Sequence, residues 1–277
     1  MMLKIRFDRF DNTFRKNMVA RRNFLCARFD LSWSAHGDFL NEALRDGGAL
    51  QDEVNPNKAN GKTARTKQVV GVDCLSGMLA ERLALHLLNH AFGEPIASRP
   101  KASSSKNQID ILSSSLGQKR TMEVRSSFPR NGAAFALFNT DKNGVQYFDV
   151  LGPYHNTEYK PEDECMRDYF LRVLFPVDKR DVAAYFRRDH FTAYLTGGAT
   201  RAMMEDPALY RLKTLAPEDM LGEADPDEQP ALYRVIPLAD SLDIRQFLTV
   251  FGAENGLTLT PLCAQRMEEA MAREADK

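Results

Sequence analysis

The chain reads as a mixed α/β protein, with a central sheet of parallel and antiparallel strands flanked by helices. Three observations carry that expectation. Residues 73–92 form a long apolar-striped segment of helical period. Two short alternating runs, 108–112 and 121–126, follow it as strands. A second pair, 134–138 and 145–151, flanks Asn143-Gly144, the strongest short hairpin signal. Helix, strands and further late strands in that order suit a sheet covered by helices.

The elements follow in chain order. Leu3, Ile5 and Phe7 alternate with Lys4, Arg6 and Asp8, which predicts a strand. Residues 51–68 are polar and carry Asn55-Pro56-Asn57 and Asn60-Gly61, which predicts a loop. Asp73 is the expected N-cap of the helix, and Gly93-Glu94-Pro95 its stop. Residues 98–107 read as a loop, and 113–118 as a turn between two strands. Later strands are expected at 172–175 and 191–195. Gly197-Gly198 reads as a tight turn into a helix near 200–206. Residues 216–230 are acidic and Pro-containing, hence loop. A last helix should start at Pro261 with Thr260 as its cap. The expected organisation is an N-terminal extension over 1–72, a core over 73–215 and a C-terminal segment over 216–277, packed together as one domain.

No apolar run approaches the roughly 20 residues a bilayer span requires. The first ten residues lack the apolar stretch of a secretory leader. Cys26, Cys74, Cys165 and Cys263 are scattered, with no C-x-x-C pair, so reduced thiols and a cytoplasmic location are expected. The net charge of −1 hides an asymmetry. Residues 1–28 carry eight basic side chains against Asp8 and Asp11, residues 55–70 carry four and no acid, and 99–130 is again basic. The compensating acid lies late in the chain. A basic front suits a face presented to a polyanion, and equally suits ordinary solvated charge.

Three carboxylates carry the chemistry. Glu81 falls within the apolar stripe formed by Cys74, Met78, Leu85, Leu88 and Phe92. A glutamate there costs several kcal/mol unless paired, protonated or bound to a cation. The plainer alternative is pairing with Arg82 or another basic group. Asp110 lies between Ile109 and Ile111, so period-2 geometry sends it to the opposite face. Glu123, Arg125 and Ser127 share one face of their strand, and Met122 and Val124 the other. If the two strands pair as a hairpin, Asp110 and Glu123 converge, and like charges at that distance call for a cation. Oxygen donors favour Mg²⁺ or Mn²⁺. The alternative is a solvated hairpin face whose acids lean on Lys119 or Arg120.

A helix with an inward Glu81, then Ile109-Asp110, then Glu123-Val124-Arg125 resembles the PD-(D/E)XK, or restriction-endonuclease-like, nucleases. The resemblance spans roughly residues 73–150, with 191–200 as a further core strand and helix start. It implies a restriction-endonuclease-like core and a Mg²⁺- or Mn²⁺-dependent endonuclease of a restriction or phage-defence type. DNA is the implied substrate, with RNA as the other polyanion; a homodimer is a further expectation, and no membrane partner is implied. In that scheme Asp110, Glu123 and the Val124 carbonyl hold the ion, which activates water and polarises the phosphate. Glu81 holds a water or a second ion, Arg125 stabilises developing charge, and Arg99, Lys101, Lys106 and Arg130 grip the nucleic-acid backbone. The sequence departs from the motif in two places. Ile109 replaces its proline, and Arg125 replaces its lysine. Arginine supplies charge and a bidentate grip but no base. Either Arg125 acts electrostatically, or the scaffold binds nucleic acid or a protein partner without cutting.

Several other patterns fail. Gly61-Lys62-Thr63 lacks the upstream glycine of a P-loop, and His86/His90 lack the glutamate of H-E-x-x-H. Trp33 defaults to core packing.

Overall fold

The computed structural model describes residues 3–9, 24–58, 67–100, 109–115, 118–128, 150–154, 166–177, 181–214, 232–237 and 240–273. Two strands open it, β1 (Ile5–Arg9) and β2 (Leu25–Ser32), followed by helices α1 (Trp33–Lys58) and α2 (Lys67–Phe92). Strands β3 (Ala97–Ser98), β4 (Ile111–Ser115), β5 (Gln118–Ser127), β6 (Val150–Tyr154) and β7 (Tyr169–Leu174) come next. Then follow α3 (Val182–Phe186), β8 (His190–Thr200), α4 (Arg201–Glu205), β9 (Arg211–Thr214) and β10 (Leu232–Ile236). Helices α5 (Ile244–Asn255) and α6 (Pro261–Ala272) complete the set.

The main sheet has seven strands in the order β1-β2-β8-β7-β5-β4-β3. All its neighbours are antiparallel except β5 and β7, which run parallel. It is a mixed sheet, as the sequence predicts. Helices α1, α2, α5 and α6 supply the buried apolar layer on one face. There Leu83 and Leu87 of α2, Phe247 and Phe251 of α5 and Met267 of α6 join Phe29, Met122, Val124 and Leu171 of the sheet. Tyr169 meets Phe247 and Phe251 edge-on, and Phe92 packs on Phe251, which ties α2 to α5. Phe170, one pleat away, points to a second cluster with Val150, Ala199, Met204 and Ile236. That cluster joins the main sheet to α4 and to a small antiparallel sheet, β6-β10-β9. Among the described residues no helix is long and apolar enough to cross a membrane. Cys26, Cys74 and Cys263 are buried, while Cys165 lies outside the described residues.

Several boundaries differ from expectation, each for a physical reason. The segment expected as a loop over 51–68 is helical at both described ends, since α1 runs to Lys58 and α2 starts at Lys67. Asp73 sits inside α2 rather than capping it. The α1–α2 contact is close because Gly47 lies against Leu75: a Cβ there would stand 3.0 Å from the Leu75 Cα. The turn expected over 113–118 is shorter, with Ser113–Ser115 and Gln118 in strands. Gly197-Gly198 is not a turn. Both glycines lie inside β8, where the backbone of Leu242 docks on them through a reciprocal pair of hydrogen bonds with Gly198, 3.0 and 2.9 Å. The expected hairpin over 134–151 and the loop over 216–230 fall outside the described residues, apart from Val150–Leu151 in β6.

Other expectations hold. Leu3, Ile5 and Phe7 are buried on one side of the first strand. Gly93 ends α2 at φ +77°. Thr260 caps α6, its hydroxyl accepting from the Cys263 amide with Pro261 at the first helical position. Trp33 packs on the core and donates its indole N–H to the Phe186 carbonyl.

Candidate active site: a carboxylate cluster at the open end of a hairpin

Strands β4 and β5 form an antiparallel hairpin with Ile111 opposite Met122 and Ser113 opposite Arg120. Extending that register by one residue sets Asp110 opposite Glu123, on the same side of the ladder. Asp110 stands just before β4 begins. There its side chain does what a further strand residue would do: Oδ2 accepts the Val124 amide at 2.7 Å. In an antiparallel ladder a residue's N–H and C=O face the same neighbour, so the Val124 carbonyl shares that edge.

The pleat that buries Met122 and Val124 under the helices sends Glu123 and Arg125 to the opposite face. Arg125 Nη2 lies 2.8 Å from Glu123 Oε1, and Arg167 Nε 3.9 Å from Oε2. Glu81 approaches from the helix layer and is 4% exposed. Its Oε2 accepts from Arg99 Nε at 2.8 Å. Asp46, on α1, accepts at Oδ2 from Arg99 Nη1 and Arg82 Nη2, each at 2.6 Å. Glu81 is thus paired with a basic group, but with Arg99 rather than Arg82.

Burial pushes the Glu81 carboxyl up from its ordinary value of 4.5 to about 7; Arg99 opposes the rise, and the charges of Glu123 and Asp46 add to it. Asp110 is raised well above the carboxylate range. Burial is the main cause, with the negative charges of Glu123 and Glu81 adding to it, while the Val124 amide and Arg125 offset part of the rise. The residue as a whole is partly exposed, yet its carboxyl is surrounded by protein. The three acids therefore act on one another electrostatically, although the pleat separates Glu81 from Glu123.

No family model matches the chain, and no curated protein or solved structure does either. The functional reading consequently stands on the side chains themselves.

The structure brings Glu81, Asp110, Glu123 and Arg125 into one neighbourhood. Arg99 joins them, but its guanidinium turns inward to Glu81 and Asp46 and leaves the side chain 19% exposed. Lys101, Lys106 and Arg130 lie outside the described residues. Asp46 and Arg167 were not singled out in the sequence. Asp46 sits in Arg45-Asp46-Gly47-Gly48, where nothing but three-dimensional proximity marks it, and Arg167 is likewise an isolated basic residue. Among the described residues no salt bridge reaches Asp110, and no three His, Cys, Asp or Glu side chains stand close enough to share one ion. Arg99 and Arg125 each hold one of the carboxylates to a guanidinium. The donor set still suits a hard divalent cation. Asp110 and Glu123 offer carboxylate oxygens from opposite positions of the hairpin, and among the described residues no salt bridge offsets the charge of Asp110, which Arg125 meets only at a distance.

Proposed function

We propose that this chain is a metal-dependent phosphodiesterase that cleaves nucleic acid, with DNA as the first substrate to test. The observation that carries the reading is the Asp110–Glu123 register: two acids side by side on adjacent strands, with the Asp110 carboxyl held far above its ordinary pKa. An arrangement that penalises its own charge is what a cation site looks like before the cation arrives.

Asp110 and Glu123 would hold Mg²⁺ or Mn²⁺, with the Val124 carbonyl on the same edge. Such an ion supplies Lewis acidity toward a phosphodiester and lowers the pKa of water near neutrality. Glu81 adds negative potential from the helix layer. Arg125 has a side chain one-third exposed at 33%, so it can leave Glu123 and meet a substrate phosphate. As a guanidinium it stabilises negative charge and takes no proton. The proton of the attacking water would pass to bulk solvent, with no protein base assigned.

A second reading has its own observation. The Arg125–Glu123 pair at 2.8 Å already neutralises one acid. A chain in which that pair persists binds a polyanion through its basic front and cuts nothing.

Plasmid cleavage separates the two. Supercoiled and linear DNA are incubated with the protein and Mg²⁺, Mn²⁺ or EDTA, beside Asp110→Asn and Glu123→Gln. Nicking that requires the metal and is lost in both variants supports the phosphodiesterase. Salt-sensitive retention of DNA with no cleavage in any metal supports the binding reading. A chain that neither cuts nor retains DNA or RNA refutes both.

A further inference from the structure

The ion pairs around Arg99 have a consequence for how many cations the cluster takes. Arg99 leaves the chain just after β3 and reaches across α2 to α1. Its Nε donates to Glu81, its Nη1 to Asp46, and its Nη2 approaches the Met78 sulfur at 2.8 Å. All three nitrogens are thereby engaged within the helix layer. Asp46 is in turn shared with Arg82, which also holds the exposed Glu42 at 2.5 Å. Two buried or half-buried acids, Glu81 and Asp46, thus face two guanidiniums, Arg82 and Arg99. With Glu42 also on Arg82, and Arg45 Nε 4.0 Å from Asp46 Oδ1, three carboxylates there meet three guanidiniums without help from outside.

The other half of the cluster differs. Asp110 receives one neutral amide, and no salt bridge reaches it among the described residues. An arriving divalent ion gains most beside Asp110 and Glu123. Beside Glu81 it would meet a fixed guanidinium of its own sign, in a place too buried for water to screen the repulsion. Detaching Arg99 to free Glu81 would also take from Asp46 one of its two guanidiniums, leaving Arg82 alone on it.

We propose that Arg99 stands in for a second cation at Glu81, so that the site takes a single divalent ion at Asp110 and Glu123 and Glu81 supplies no ligand to it. This inference rests on the metal reading above and refines it. It turns Arg99 from a candidate grip on nucleic acid into an internal counter-ion, and it turns Asp46 into the residue that positions Arg99.

The test is Mn²⁺ titration of the full chain, by calorimetry and by loss of the free-ion electron paramagnetic resonance signal. The wild type should bind one ion per chain. Glu81→Gln should bind one ion with an affinity lowered far less than in Asp110→Asn, since the amide oxygen still accepts from Arg99 and only the charge of Glu81, acting at a distance, is lost. Arg99→Lys, which keeps the charge, should also bind one, and it covers the case in which the glutamine variant folds poorly. Asp110→Asn should weaken binding by more than the roughly 10–100-fold that loss of an outer-shell partner typically costs. Two ions in the wild type, or Glu81→Gln weakening the affinity as much as Asp110→Asn, overturns the inference and leaves the metal reading standing. No binding by the wild type, or an Asp110→Asn variant that binds as well as the wild type, overturns both.

Discussion

Asp110 stores an electrostatic cost in the folded chain. Its carboxyl loses solvation, sits beside Glu123 and Glu81, and receives one amide in return. A carboxyl whose pKa is higher folded than unfolded destabilises the fold at any pH above its unfolded value. Asp110→Asn keeps an acceptor for the Val124 amide and removes that cost. The variant should therefore be more stable than the wild type at pH 7.5, by about 1 kcal/mol, and the cleavage proposed above should be lost. Chemical denaturation of both proteins in EDTA checks the first half; an Asn variant less stable than the wild type would show that the site is not strained by charge. Glu81 makes the companion case. With its carboxyl at about 7 instead of 4.5, it binds a proton more tightly folded than unfolded. Its contribution is favourable below about pH 4.5 and is lost as pH rises toward 7, by up to about 3 kcal/mol. Stability in EDTA should decline across that window, and Glu81→Gln should flatten the decline; a wild-type profile that rises through the window contradicts the assignment.

At the scale of elements, the hairpin and the glycine pair do different work. The β4–β5 hairpin sets the register on which the site depends, and the end of β4 one residue early leaves Asp110 able to fold back on Val124. The glycines of β8 let two backbones meet. Gly197 has φ +104°, and a Cβ on Gly198 would stand 1.9 Å from the Phe170 carbonyl oxygen. Gly198→Ala must displace β7 against β8, in a sheet interior with no room to yield. It should cost upward of about 3 kcal/mol or prevent soluble expression. A thermal midpoint within a degree or two of wild type would mean that the strands are looser than described. Much of this was legible beforehand, and the reasons for the exceptions are local. Period-2 alternation marked β1 and β5 because each has one apolar face. The pairing of Asp110 with Glu123 followed from the hairpin alone. The loop expected over 51–68 gave way to helix up to Lys58 and from Lys67 because polar composition alone does not tell a helix from a loop. The Gly197-Gly198 turn failed because glycine signals close approach as readily as it signals reversal. Asp46 was invisible because its role comes from α1 lying against α2, a long-range contact without a local pattern.

At the scale of the molecule, helices α1, α2, α5 and α6 cover one face of the seven-stranded sheet, and the small sheet with α4 meets part of the other. The carboxylate cluster sits where α2 crosses the β4–β5 end of the main sheet. Helix side chains meet sheet side chains there. If a divalent cation completes this arrangement, binding it must stabilise the whole fold, because the ion binds the folded chain and not the unfolded one. At a free concentration 100 times the dissociation constant the gain is about 2.7 kcal/mol, or very roughly 5–10 °C in a chain of this size. The most direct measurement is therefore the thermal midpoint at pH 7.5 as Mn²⁺ is raised from zero to millimolar, in the wild type and in Asp110→Asn. The account predicts a saturable rise in the wild type and none in the variant. A wild type indifferent to Mn²⁺, or a variant that rises in parallel with it, would contradict the claim that Asp110 and Glu123 form a cation site.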